Sequence, residues 1–111
     1  MDFKDDIVAI STPTGMGAIA LIRIAGDNAL KKVEPFFKSR KAGSISNIKS
    51  HSIIYGDFIY EDEIIDEVVL SYFAKGKSFT GQETVEISCH GSTYIQKTII
   101  EKLLTNNIRL A

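Results

Sequence analysis

The 111 residues predict an α+β domain, a mixed β-sheet covered by two helices. Three observations carry this. Six short stretches alternate apolar and polar residues or run apolar, as strands do, and two others repeat apolar residues with helical period. Their order, β-β-α-β-β-β-α-β, sets runs of neighbouring strands between single helices, which favours layered α+β packing over a wound parallel sheet. With 44% apolar and 24% charged residues, the chain suits one domain, residues 1–111, built on a single core.

In chain order, Ile7 to Ile10 is a brief β-branched strand ended by the Pro/Gly loop Ser11-Thr12-Pro13-Thr14-Gly15. Ala18 to Ala25 is almost continuously apolar and is expected to be a strand buried on both faces. Gly26-Asp27 ends it, and Asp27 is the expected N-cap of a helix carrying Ala29, Leu30, Val33 and Phe37 on one stripe. Pro35 kinks or ends that helix. Lys38 to Lys49 is a basic, small-residue loop, expected to be a solvated connection rather than a phosphate patch. His51 to Tyr60 and Ile64 to Phe73 form a β-hairpin about Glu61-Asp62-Glu63.

Ser78 to Gly91 starts as a polar turn, where Gly81 can take backbone angles a residue with a β-carbon resists. It continues as a strand with Val85, Ile87 and Cys89 on one side and Thr84, Glu86 and Ser88 on the other. A helix then starts at Thr93, with Thr93 and Gln96 as a capping box and Ile95, Ile99, Ile100, Leu103 and Leu104 on its apolar face. Asn106-Asn107 supplies a left-handed C-cap. Ile108 to Ala111 reads as the opening of another strand, which suggests a domain excised from a longer protein.

A formal net charge of −1 leaves no broad electrostatic footprint for nucleic acid on this piece. The single cysteine, Cys89, excludes an internal disulfide and fits a reducing compartment. The charged start Met1-Asp2-Phe3-Lys4-Asp5-Asp6 has no signal-peptide pattern, and no apolar run approaches the roughly 20 residues a membrane span needs. A cytoplasmic protein is the expectation.

Several motif matches dissolve on inspection. Gly15-Met16-Gly17 is followed by a strand, whereas a dinucleotide fingerprint needs a helix N-terminus for the pyrophosphate. Gly76-Lys77-Ser78 copies the end of a P-loop, but its first glycine would fall on Ser71 and no helix follows. Cys89 and His90 are adjacent on a strand and point to opposite faces, so a shared metal is awkward. Cys89 reads as core, His90 as a candidate for the rim of a small-molecule site, and His51 carries no signal.

Two charges stand out. Arg23 interrupts an apolar strand, and burying an unpaired guanidinium is prohibitive. Glu86 lies on the polar face of a strand with apolar neighbours. Either the two satisfy one another within the fold, or they hold a ligand. A carboxylate on a rigid strand suits an amino-pyrimidinone edge such as a pterin presents, and an arginine fork suits a carbonyl or carboxylate.

Ile7-Val8-Ala9, Thr12-Pro13-Thr14-Gly15-Met16-Gly17-Ala18-Ile19-Ala20, Ile22-Arg23-Ile24-Ala25-Gly26, Ser78 to Ile87 and Cys89-His90-Gly91 resemble the N-terminal part of the MnmE/TrmE-type tRNA-modification GTPases. The resemblance runs from about Asp6 to Ala111; Lys38 to Tyr60 adds nothing to it. It implies a fold similar to the tetrahydrofolate-binding domain of glycine-cleavage aminomethyltransferases, homodimerisation, and binding of a 5-formyl-tetrahydrofolate-like donor near the dimer interface. The folate-contacting arginine and glutamate of the family fall on Arg23 and Glu86.

The resemblance further implies that the intact protein hydrolyses GTP with magnesium and potassium in a separate GTPase domain. It implies action with an MnmG/GidA-type FAD-dependent partner on C5 of the wobble uridine of certain tRNAs, adding an aminomethyl-type group. No catalytic residue and no metal ligand is expected in this piece. Met16 stands where the family usually has arginine, and Ser92 where it usually has glycine. A stand-alone folate-dependent aminomethyltransferase and a purely structural dimerisation domain are the competing readings.

Overall fold

The computed structural model describes residues 5–12, 18–41, 43–77 and 81–111. Its strands are β1 (Asp6–Ile10), β2 (Ile19–Ala25), β3 (Phe37–Ser39), β4 (Ser52–Tyr60), β5 (Glu63–Phe73), β6 (Thr84–His90) and β7 (Ile108–Leu110), with helices α1 (Ala29–Val33) and α2 (Thr93–Leu103). They form one sheet in the order β3-β4-β5-β6-β2-β1-β7. Every pairing is antiparallel except β1 with β7, so the sheet is mixed, as the sequence predicts.

Period-two alternation decides which side chains enter the core. Val8, Ala20, Ile22, Ile24, Val68, Leu70, Tyr72, Val85, Ile87 and Cys89 turn inward and form one cluster with Ala29, Leu30 and Val33 of α1 and Ile99, Ile100 and Leu103 of α2. Burying each large aliphatic side chain contributes about 1.5–3 kcal/mol. Both helices pack into this cluster, so among the described residues no helix covers the other sheet face. β2 is therefore not buried on both sides as expected: Ile19 is 67% exposed, and Arg23 and Leu21 share its side of the strand. The apolar run misled because it contains isoleucine and leucine on both parities, while only one side meets a helix.

The first helix is also shorter than its apolar stripe suggests. It ends at Val33, Pro35 sits in the 3₁₀ turn Glu34–Phe36, and Phe37 opens β3 opposite Phe58. β3 is the strand missed from sequence; being only three residues long, it carries no measurable periodicity. Ile45, from the loop expected to be solvated, is buried in the core.

The expected caps shift by one residue. Asn28, not Asp27, occupies the N-cap of α1, without a side-chain bond. The free amides are satisfied from a distance: Asp6 Oδ1 accepts from Asn28 N at 2.9 Å and Glu83 Oε2 from Leu30 N at 2.8 Å. At α2, the cap is Ser92, whose hydroxyl accepts from Ile95 N at 3.0 Å, while Gln96 Nε2 donates to Gly91 O. The C-cap is as expected, with Asn107 left-handed at φ 58°. The β4–β5 turn has two residues, Glu61 and Asp62, both at positive φ, and Glu63 already belongs to β5. Among the described residues, no helix is long and apolar enough to cross a membrane.

Gly26 is fixed by the same helix entrance. Its φ is +149°, and an added β-carbon would lie 2.2 Å from Asp6 Oδ1 and 2.7 Å from Asp6 Cα. The backbone atom cannot move aside without disturbing β1. Gly26→Ala is expected to cost about 3 kcal/mol, combining overpacking with an unfavourable backbone conformation, measured as a lowered urea midpoint.

Candidate functional site

β2 and β6 are neighbours at the centre of the sheet, and their register sets Arg23 directly opposite Glu86. The two pair with each other: Arg23 Nε donates to Glu86 Oε2 at 2.9 Å, and Nη2 lies 2.7 Å from the same oxygen. Both contacts fall on Oε2, so Oε1 has no partner among the described residues. The Arg23 side chain is 45% exposed and that of Glu86 19%. A pair this open to water contributes only about 0–1 kcal/mol to stability. By register, their neighbours on this face include Ala9, Leu21, Ser71 and Ser88, all small or apolar.

His90 ends the same row of β6. Its Nδ1 lies 2.7 Å from Asp66 Oδ1, and its backbone N–H donates to Asp66 Oδ2 at 2.8 Å. Asp66 is well covered while the imidazole is 70% exposed. Cys89 points the opposite way, into the core, as its alternation requires. Burial, assisted by the charge of Asp66, pushes its thiol up to about 11. Among the described residues, no three His, Cys, Asp or Glu side chains converge as metal ligands would.

A second cluster lies at the β3 edge and was not read from sequence. Arg40 donates to both oxygens of Asp57, at 3.1 and 2.6 Å, and stacks over the Tyr55 ring at 5.3 Å. Tyr55 in turn donates to Glu67. The Arg40 hydrogen bonds hold the Asp57 carboxyl below its ordinary range. The Tyr55 hydrogen bond, then the charge of Arg40, does the same for Glu67. Neither Asp57 nor Asp66 carries a local sequence signal, because each partner arrives from a different strand. Gly15-Met16-Gly17 and Ser78-Phe79-Thr80 lie outside the described residues.

Residues 6–111 match the family described as GTP-binding protein TrmE N-terminus. The chain belongs to that family. It is 45% identical over its whole length to a tRNA modification GTPase MnmE from Christiangramia forsetii and 46% identical to one from Flavobacterium psychrophilum. A third, from Clostridioides difficile, is 41% identical over the whole chain. These alignments cover 23–24% of each relative, so the chain spans about a quarter of the length of the relatives it matches.

Two expectations follow for this TrmE N-terminus chain. Cys89 is expected to react with iodoacetamide at pH 8 at least about tenfold more slowly in the native state than in urea, by mass-spectrometric time course, since both burial and a scarce thiolate slow it. For Asp57 and Glu67 the folded-state pKa lies below the unfolded one. Their contribution is therefore complete above the unfolded carboxylate range near pH 4 and disappears as pH falls through the lower folded values. Asp57→Asn is expected to flatten the loss of stability below pH 4, measured by urea titrations at stepped pH.

Proposed function

We propose that the domain, residues 1–111, binds a reduced folate of the 5-formyl-tetrahydrofolate class across the Arg23–Glu86 pair. The observation that carries this is the pair itself: two charges on one sheet face, bonded through one carboxylate oxygen, with the other unengaged among the described residues. Oε1 is suited to accept from the amino and ring N–H groups of a pterin, while Oε2 stays bound to Arg23. The guanidinium orients Glu86, and its outer N–H groups are suited to a ligand carbonyl or carboxylate. The bound folate supplies the one-carbon unit; the protein binds and orients it.

The domain also mediates homodimerisation, a reading supported by the uncovered sheet face with Ile53, 74% exposed, and the exposed Ile19 and Tyr55. We further propose that it serves a longer cytoplasmic protein of the kind its relatives are named for, a tRNA modification GTPase. That protein hydrolyses GTP with magnesium and potassium outside this domain. With an FAD-dependent MnmG/GidA-type partner it modifies C5 of the wobble uridine, position 34. Kinship of the fold with the tetrahydrofolate-binding domain of glycine-cleavage aminomethyltransferases belongs to the same proposal.

Calorimetric titration with 5-formyl-tetrahydrofolate tests the site. Saturable binding is expected, weakened at least roughly 30-fold in Glu86→Gln, because an amide both misplaces a donor and removes a charge-assisted bond. The circular dichroism spectrum should be unchanged. Equal affinity in the variant would overturn the assignment.

A further inference from the structure

His90 and Asp66 form a unit that the Arg23–Glu86 reading does not use. Both Asp66 oxygens are occupied by the same residue, one by the His90 ring and one by its backbone N–H. A carboxylate bound in this way fixes the rotation of the ring and leaves Nε2 as its outward nitrogen. A tie between strands alone would need only the backbone bond. Yet the imidazole is 70% exposed, opposite the exposed Ile19, at the end of the β6 row that runs Glu86, Ser88, His90. Along a strand, four residues span roughly 13 Å. Between the two polar ends the register places Leu21, Ser88 and Val69, apolar and small side chains suited to contact an aromatic ring.

We infer that His90, positioned by Asp66, is a second anchor for a long ligand. Its Nε2 hydrogen-bonds the polar acyl-glutamate tail of a folate whose heterocycle occupies the Arg23–Glu86 pair. This rests on the folate reading above and extends it from the head of the ligand to its tail. The ligand class is thus a conjugate with a hydrogen-bonding heterocycle at one end, an aromatic ring in the middle and an amide and carboxylates at the other.

Titrations with two probes separate the claims. One is 5-formyl-tetrahydrofolate; the other is 5-formyl-6-methyltetrahydropterin, which keeps the head and lacks the benzoyl-glutamate tail. In His90→Ala, with its fold verified by circular dichroism because the covered Asp66 loses one partner, folate is expected to bind roughly threefold to tenfold more weakly with the pterin unchanged. Asp66→Asn should shift folate affinity in the same direction, again without touching the pterin. His90→Ala that weakens both probes equally, or neither, overturns the tail anchor while leaving the head site standing. A wild-type protein that binds neither probe overturns both.

Discussion

The antiparallel ladder between β2 and β6 is the constraint on which the rest depends. Its register runs from Ile19 opposite His90 to Ala25 opposite Thr84. It sends Ala20, Ile22, Ile24, Val85, Ile87 and Cys89 inward, and by the same parity sets Arg23 against Glu86 outward. A slip of β2 by one residue would bury the guanidinium and expose Ile22 and Ile24, so the core and the charged pair enforce one another's position. The polar pair costs the fold little because it faces water, and the core gains its full apolar area because the charges are excluded from it.

Around this ladder, carboxylates carry much of the long-range connection. Asp6 of β1 and Glu83, just before β6, take the free amides at the start of α1. Asp6 also pairs with Lys32 at 2.7 Å, and Lys32 reaches on to the carbonyl of Asn107 beyond α2. Asp66 and Asp57 make corresponding ties from β5 to His90 and from β4 to Arg40. In each case the carboxylate and its donor lie far apart in sequence, and at the start of α1 the donors are backbone amides that the helix itself leaves unsatisfied.

Long, periodic elements are legible in the sequence alone. The β4–β5 hairpin, the β6 alternation, the α2 stripe and the Asn107 cap all follow from period, turn chemistry and propensity over enough residues to outweigh noise. The three-residue β3 is not, since it is too short to display a period, and α1 is legible as a helix but not in its length, because Phe37 of its apparent stripe belongs to β3. Half of the candidate site was similarly legible. Arg23 and Glu86 stood out because each breaks its apolar surroundings, whereas Asp66 is an ordinary acidic residue until the sheet brings it to His90.

The sequence by itself determined the α+β class, the inward residues of the long elements, and the family through motifs that span the chain. These depend on local periodicity and on residue order, both of which are present in the unfolded chain. Only the tertiary structure decided that Arg23 and Glu86 share one oxygen, that β2 leaves a face open, and that α1 is capped by Asp6 and Glu83 instead of its own Asp27. Each of those is a choice among several partners of similar chemistry. Strand order and register, which no local stretch encodes, make the choice.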